Sequence, residues 1–505
     1  MPRTERSQSP SANGHVALAE ASRAQAQLAR PEPERLTPEE RLTRLSDPGS
    51  FTAMRREVRS QFLGDKARAG DGVVAGSGLI DGRPVFCYAQ DSGFLGGSLG
   101  KAQSETITRV LSLAGQRRAP VVSFIESGGA RMQEGLAALA GYGEIFSHNI
   151  ALSGRVPQIS VICGVSAGGA TYSPALTDFV LMTREASMFL TGPAIVKAVL
   201  GEDVSVEQLG GHGVHSRNGV CHIVADDDTH SIALVQQLLS YLPQNAWERP
   251  PARPPRGPGG QDPRQAVPVN HRSVYDVRDV IRCLVDASEM LELSPLWASN
   301  IVIALARIDG MSVGIVANQP KRLAGVLDES ASQKAARFVR TCSSFGLPLV
   351  VLVDTPGFMP GTEREHAGVI RHGAKLLYAF AEATVPKITV ILRKAYGGAY
   401  ISMNSKSLGA HWTCAWEDAE IGIMGAAQAI GLIHRRELAS ATDPEQVADR
   451  LTAAYAAEHL SARGAARDGH VDEVITPAST RARLSATLTA LTGTHQPREG
   501  GNIPL

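Results

Sequence analysis

The stretch GVSAGGATY, from Gly164 to Tyr172, and its echo KAYGGAY, from Lys394 to Tyr400, decide the fold of this 505-residue chain. Gly168-Gly169-Ala170 recurs as Gly397-Gly398-Ala399, a displacement of 229 residues. Working outward, Ile80-Asp81-Gly82 answers Ile308-Asp309-Gly310, and Glu126-Ser127 answers Asp354-Thr355, each displaced by 228. Pro157 answers Pro386 at 229, and Gly192 answers Gly425 at 233. Landmarks that repeat in one order mark an internal duplication, and a repeat takes precedence over the assignment of single elements. Two such turns, each offering backbone N–H groups, predict a reaction that uses two oxyanion holes.

Around these turns, short β-branched runs alternate with helical patterns. Val121–Ile125, Gln158–Cys163 and Phe179–Met182 read as strands in the first half, as do Leu349–Val353 and Ile388–Leu392 in the second. Helical stretches lie between them at Glu105–Ala114, Gln133–Ser147, Ser332–Phe345 and His372–Glu382. Buried parallel strands joined by crossover helices satisfy this pattern, so the expected class is α/β, in two similar domains. Thr37, with Pro38 and Glu40 after it, reads as a capped helix start. Residues 1–36 read as a disordered polar tail, 37–248 as the first domain, 249–269 as an exposed linker crowded with seven prolines, and 270–505 as the second domain.

The bulk composition narrows the function. Fifty basic and fifty acidic residues leave no net charge, which argues against a nucleic-acid footprint. An acidic ligand must then be held by local cations and amides. Six cysteines without C-x-x-C spacing give neither a zinc ribbon nor a disulfide framework. No uncharged apolar run is long enough for a membrane span, and the expected location is the cytoplasm.

The chemistry sits at strand ends. Gly128-Gly129-Ala130 follows the strand Val121–Ile125 and opens toward a helix, where free amides and the macrodipole favour negative charge. Glycine in the two Gly-Gly-Ala turns lets a carbonyl oxygen approach the backbone. No serine triad, metal set or side-chain base accompanies the turns. His212, His215 and His222 fit no zinc spacing and read as surface loop groups. Glu126 and Asp354 read as helix caps rather than bases. A site built of amides without a base needs its cofactor to supply one.

The segments ESGGARMQEG (126–135), GVSAGGATYSPALTDFVLM (164–182), MFLTGP (188–193), SASQKAARFVRTC (330–342), the long run from Asp354 to Ala410 and the terminal GNIPL resemble the carboxyltransferase (β) subunit of biotin-dependent acyl-CoA carboxylases, of the acetyl-CoA and propionyl-CoA type. The resemblance extends from about Thr37 to Leu505. It implies two tandem crotonase-like domains, a homohexamer built as a trimer of dimers, and an active site shared between the first domain of one subunit and the second of its partner. Carboxybiotin, carried by a biotin carboxylase and carrier (α) subunit, would supply both the carboxyl group and the base, and a CoA thioester would receive the carboxyl group at its α-carbon. Carried over, Gly168 and Gly169 would stabilise the thioester enolate, and Gly398 and Ala399 the ureido oxyanion. Gly397 and Tyr400 would lie on the biotin side. Gly128, Gly129 and Ala130 would line the CoA channel, with Gly96 and Gly97 near its nucleotide end.

Ile401 stands where family members that prefer propionyl-CoA carry aspartate, so the resemblance implies acetyl-CoA use, giving malonyl-CoA for fatty acid or polyketide supply, with some propionyl-CoA use. No metal is expected. No Met-Lys-Met biotin-attachment site is present, so carrier and ATP-dependent functions fall to the α partner. Glu126, Thr355 and the histidine loop depart from the family's usual residues, which bears on specificity rather than on reaction class. The alternatives are the carboxyltransferase of a biotin-dependent decarboxylase or transcarboxylase, a crotonase-like hydratase or isomerase, and a non-catalytic scaffold subunit.

Overall fold

The computed structural model describes residues 35–259, 262–271, 273–493 and 501–503. The polar tail and its transient helix lie outside these residues up to position 34. The last two residues assigned to that tail belong to the fold instead: Leu36 is buried in the core, and Arg35 pairs with Glu126. The helix Pro38–Leu45 starts with the expected capping box between Thr37 and Glu40.

Each half carries an eight-stranded sheet. The first comprises β1 (Thr52–Ala53), β2 (Val73–Ile80), β3 (Arg83–Gln90), β4 (Val121–Ser127), β5 (Gln158–Ala167), β6 (Phe179–Thr183), β7 (Ser187–Phe189) and β8 (Ile223–Ala225). The second comprises β9 (Met290–Leu293), β10 (Ile301–Ile308), β11 (Met311–Asn318), β12 (Leu349–Thr355), β13 (Lys387–Tyr396), β14 (Trp412–Trp416), β15 (Glu420–Gly422) and β16 (Glu473–Ile475). The first sheet runs β1-β2-β3-β4-β5-β6-β8, with β7 on the far end of β5. The second runs β9-β10-β11-β12-β13-β14-β16, with β15 on the far end of β13. Hairpins open both sheets, and parallel pairing follows from β3 and from β11 onward.

The duplication is visible in the backbone itself. Asp81-Gly82 and Asp309-Gly310 turn their hairpins with φ of 50° and 71°, and of 53° and 80°. Two consecutive left-handed residues match the twist of the flanking strands, which is why Asp-Gly recurs there. The register shifts once between Ile125 and Ser127 and again between Val353 and Thr355, so both sheets bend at one place.

Every residue of β4 and of β12 is buried, as continuous apolar runs covered on both faces demand. The covering helices are Lys101–Arg117 and Leu136–Leu152 in one half, and Glu329–Ser344 and Val369–Glu382 in the other. One apolar cluster joins Leu42, Phe124, Val161 and Phe179 to Ile303, Phe338, Leu349 and Phe380, so the halves share a core. Asn502 adds a polar stitch. It is buried, and its amide donates to Asp178 of one half (3.0 Å) and to Thr341 of the other (2.9 Å).

The proline-rich stretch is only partly an exposed linker. Residues 252–259 are exposed, but Pro263–Ala266 form one helical turn capped by Asp262, and Val267 is buried in the second core. Proline fits at the first helical position because its missing N–H has no acceptor there. All six cysteines are free thiols. Among the described residues, no helix is long and apolar enough to cross a membrane.

Candidate active site

The first set of site residues gathers where β4 and β5 end. β5 runs past β6 to pair with β7, then turns at Gly168 with φ of 58° into the short helical turn Gly168–Thr171. The first N–H groups of such a turn have no acceptor within it. The Thr171 hydroxyl donates to the Gly168 carbonyl at 2.7 Å and holds the corner. Gly169 is glycine because a Cβ there would stand 2.7 Å from the Tyr142 ring.

The same fold brings the other glycines to this corner. The Gly128 amide donates to the Gly96 carbonyl at 2.8 Å, and Leu99 donates to the Gly129 carbonyl at 2.8 Å. Ala130 bridges to Leu99. A Cβ on Gly129 would lie 3.2 Å from the Ala167 carbonyl, and one on Gly97 only 2.1 Å from that of Glu126. Gly96, Gly97, Gly128, Gly129, Ala130, Gly168 and Gly169 therefore form one contiguous backbone surface.

The second set repeats this at the end of β13. Gly397 has φ of 59° and opens the helix Gly397–Ser402. The first amides of that helix are likewise without internal acceptors. Gly398 packs loosely: a Cβ there would meet the Phe358 ring at 3.7 Å, an ordinary contact. Tyr400 is half-buried, and burial pushes its phenol up. Ile401 is 43% exposed on the same short helix.

Both corners rest on buried ion pairs that local sequence patterns do not reveal. Arg131 donates to Asp71 at 2.7 Å and to Glu134 at 2.8 Å, with all three side chains sealed from solvent. Burial pushes the Asp71 carboxyl up while Arg131 opposes it. Glu126 does not cap a helix: it lies 3.5 Å from Arg41, which also holds Asp228 at 2.9 Å. Asp354 does not cap a helix either, accepting from Arg393 Nε at 3.0 Å and from the Tyr275 hydroxyl at 2.9 Å. Both acids are structural counter-ions, and neither is a free base.

The histidine loop also differs from expectation. His215 and His212 lie on one helical turn, and His215 Nε2 sits 2.6 Å from the Met188 carbonyl. His222 is half-buried rather than at the surface. Its Nδ1 accepts from the Val180 amide at 3.0 Å, and burial lowers its pKa to about 4. With Asp178, Trp297, Lys334 and Arg337 it lines a cavity of about 420 Å³ between the halves, which neither Gly-Gly-Ala turn borders. The two candidate anion cradles follow β5 and β13, one in each sheet.

The fold and site define a class: two tandem crotonase-like halves, each ending in a glycine turn with free amides. The carboxyl transferase domain family matches residues 31–500, and the chain belongs to that family, as a beta subunit of the biotin-dependent acyl-CoA carboxylase type. The chain is 47% identical over 478 residues to the methylmalonyl-CoA carboxyltransferase 12S subunit of Propionibacterium freudenreichii subsp. shermanii, covering 93% of this chain and 91% of that one. It is 45% identical over 494 residues to the biotin-dependent acetyl-/propionyl-coenzyme A carboxylase beta5 subunit of Mycobacterium tuberculosis, covering 93% and 90%. Among solved structures, the transcarboxylase 12S hexamer with methylmalonyl-coenzyme A and methylmalonic acid bound superposes with a TM-score of 0.89 at 44% identity, covering 99% of this chain and all of that one.

Proposed function

We propose that this chain transfers a carboxyl group between carboxybiotin on a separate carrier subunit and the α-carbon of a short-chain acyl-CoA. The observation that carries this reading is the matched pair of turns, with φ of 58° at Gly168 and 59° at Gly397, each opening a short helix whose first amides are free. Donors fixed before reaction stabilise developing negative charge without reorganisation, and removing one costs about 10²–10³ in rate. Gly168 and Gly169 hold the thioester oxygen. Gly398 and Ala399 hold the ureido oxygen, with Gly397 and Tyr400 beside them. Gly96, Gly97, Gly128, Gly129 and Ala130 line the path of CoA. Cβ atoms would crowd several of these positions, as a backbone surface for close ligand approach requires. When bound, carboxybiotin supplies the carboxyl group and the base that the side chains do not provide.

Ile401 is an apolar wall of the acyl pocket, so acetyl-CoA is the favoured substrate with propionyl-CoA also used, giving malonyl-CoA or methylmalonyl-CoA. The second reading is transcarboxylation, favoured by the likeness to the 12S subunit, in which methylmalonyl-CoA donates the carboxyl group. The first unit, from Arg35, is the acyl-CoA unit, and the second, which includes Pro263–Val267, is the biotin unit, the exposed residues 252–259 joining them.

The two cradles belong to different sheets, and a second copy brings the first-half cradle of one chain against the second-half cradle of the other. Met132, Leu136, Val199 and Leu200 of the first half, and Ile370, Ile423, Leu432 and Ile433 of the second, are exposed on the single chain. Leu190 and Ile423, like Leu200 and Ile433, share the 233-residue displacement, so the apolar faces are themselves duplicated. A two-fold dimer pairing first half with second buries both faces at once, and three such dimers form a hexamer. The test is carboxyl transfer from malonyl-CoA or methylmalonyl-CoA to free biotin by the purified chain. No transfer from either donor rejects the reading.

A further inference from the structure

The duplication provides an internal control for what each turn requires. Val165 pairs with Ser187 and Ala167 with Phe189 in the first sheet, as Lys394 pairs with Glu420 and Tyr396 with Gly422 in the second. Register therefore equates Val165, Ala167 and Ser187 with Lys394, Tyr396 and Glu420. The backbones match, but the side chains do not. The first-half positions hold nothing that titrates, whereas all three second-half positions do.

These residues form a connected chain. Tyr396, the last strand residue before Gly397, is 7% exposed and donates its phenolic O–H to Glu420 Oε2. The other oxygen of Glu420 lies 3.6 Å from His271 Nδ1, and Lys394 Nζ donates to the His271 carbonyl at 3.3 Å. His271, more than any other neighbour, pulls the Glu420 carboxyl below its ordinary range. The chain opens on a cavity of about 580 Å³ beside the second turn.

We propose that Tyr396, Glu420 and His271 form a positioning relay for the second turn, one that the first turn does not need. The proposal rests on the carboxyl-transfer reading above. The first corner is clamped sterically, because Tyr142 and the Ala167 carbonyl leave no room beside Gly169 and Gly129. The second corner is clamped at Gly397, where a Cβ would stand 3.1 Å from the Ile423 carbonyl, but not at Gly398, which meets only Phe358 at ordinary distance. A phenol tied to a carboxylate fixes the residue that precedes the left-handed Gly397, and with it the direction of the Gly398 and Ala399 amides. Lys394 offsets the Glu420 charge, so the tether adds no uncompensated anion beneath a site where negative charge develops.

The test uses the full chain with methylmalonyl-CoA as donor and free biotin as acceptor. Tyr396→Phe keeps the ring and removes the tether. It is expected to lower kcat by about ten- to a hundredfold, the scale of a small misplacement of a reacting group. KM for methylmalonyl-CoA, oligomer size and Tm are expected to stay near wild type. Glu420→Gln keeps an acceptor for the phenol but cannot pair with His271, and is expected to fall between Tyr396→Phe and wild type. Ser187→Ala, at the equivalent first-half position, is expected to leave kcat unchanged. An unchanged kcat in Tyr396→Phe overturns the relay, as does a loss that appears mainly in KM for methylmalonyl-CoA or in Tm. A wild-type chain that fails to carboxylate biotin overturns the carboxyl-transfer reading, and the relay with it.

Discussion

Substituting valine for Gly398 separates the chemistry of the second turn from its folding. Gly398 is not at positive φ, and a Cβ there would stand 3.7 Å from Phe358, so the branched side chain enters without a backbone penalty or a clash at its first atom. Helix propensity adds no cost, since valine is a better helix former than glycine by about 0.3 kcal/mol. Gly397 is different, since at φ of 59° any side chain adds about 1–2 kcal/mol of strain. What Gly398→Val removes is access to the amide face. Loss of one oxyanion donor corresponds to about 10²–10³ in rate, or roughly 3–4 kcal/mol. The assay is the initial rate of carboxyl transfer from methylmalonyl-CoA to free biotin, with size-exclusion chromatography and thermal unfolding as fold controls. The expected result is a hundredfold or greater loss with assembly and Tm preserved. A folded Gly398→Val chain keeping more than about a tenth of wild-type turnover would falsify the assignment of an oxyanion hole to this turn.

Four further outcomes follow from specific contacts. Gly169→Ala must displace the Tyr142 ring, which its Cβ would approach to 2.7 Å, so Tm and turnover should fall together; a drop in neither would show that the corner relaxes freely. Ile401→Asp should shift the ratio of kcat/KM from acetyl-CoA toward propionyl-CoA, and an unchanged ratio removes Ile401 as the discriminating wall. Arg131→Leu strands Asp71 and Glu134 as buried acids, so denaturant unfolding should register a loss of about 3–5 kcal/mol. His222 has a pKa near 4 when folded against 6.5 when free, so its stabilising contribution is complete above pH 6.5 and is lost as pH falls toward 4. That span corresponds to roughly 3 kcal/mol, and Tm measured against pH should fall less steeply over this window in His222→Gln.

The glycine turns show how far local sequence reaches. Gly168 and Gly397 could be picked out because a left-handed corner is a property of one or two residues, and glycine supplies it at little cost. The continuous apolar runs of β4 and β12 and the capping box at Thr37 are local in the same sense. Duplication amplified the strand and turn signals, since these landmarks recur in one order at displacements of 228 to 233 residues. The exceptions were also local in origin: Pro263 starts a helical turn because the first helical position tolerates proline.

What tertiary structure alone decided is the set of partners. Glu126 and Asp354 read as caps because their acids sit at strand ends, yet Arg41 and Arg393 claim them across 85 and 39 residues. His222 read as a surface group, yet it lines the cavity between the halves and is half-buried there. Tyr396 meets Glu420 only because β15 pairs with β13, and His271 reaches the same carboxylate from another part of the chain. Periodicity and turn chemistry act over a few residues, so the sequence alone marks where the backbone bends and which runs are buried. Charge pairing in a low-dielectric interior depends on distance in space, and folding sets that distance by bringing remote segments together.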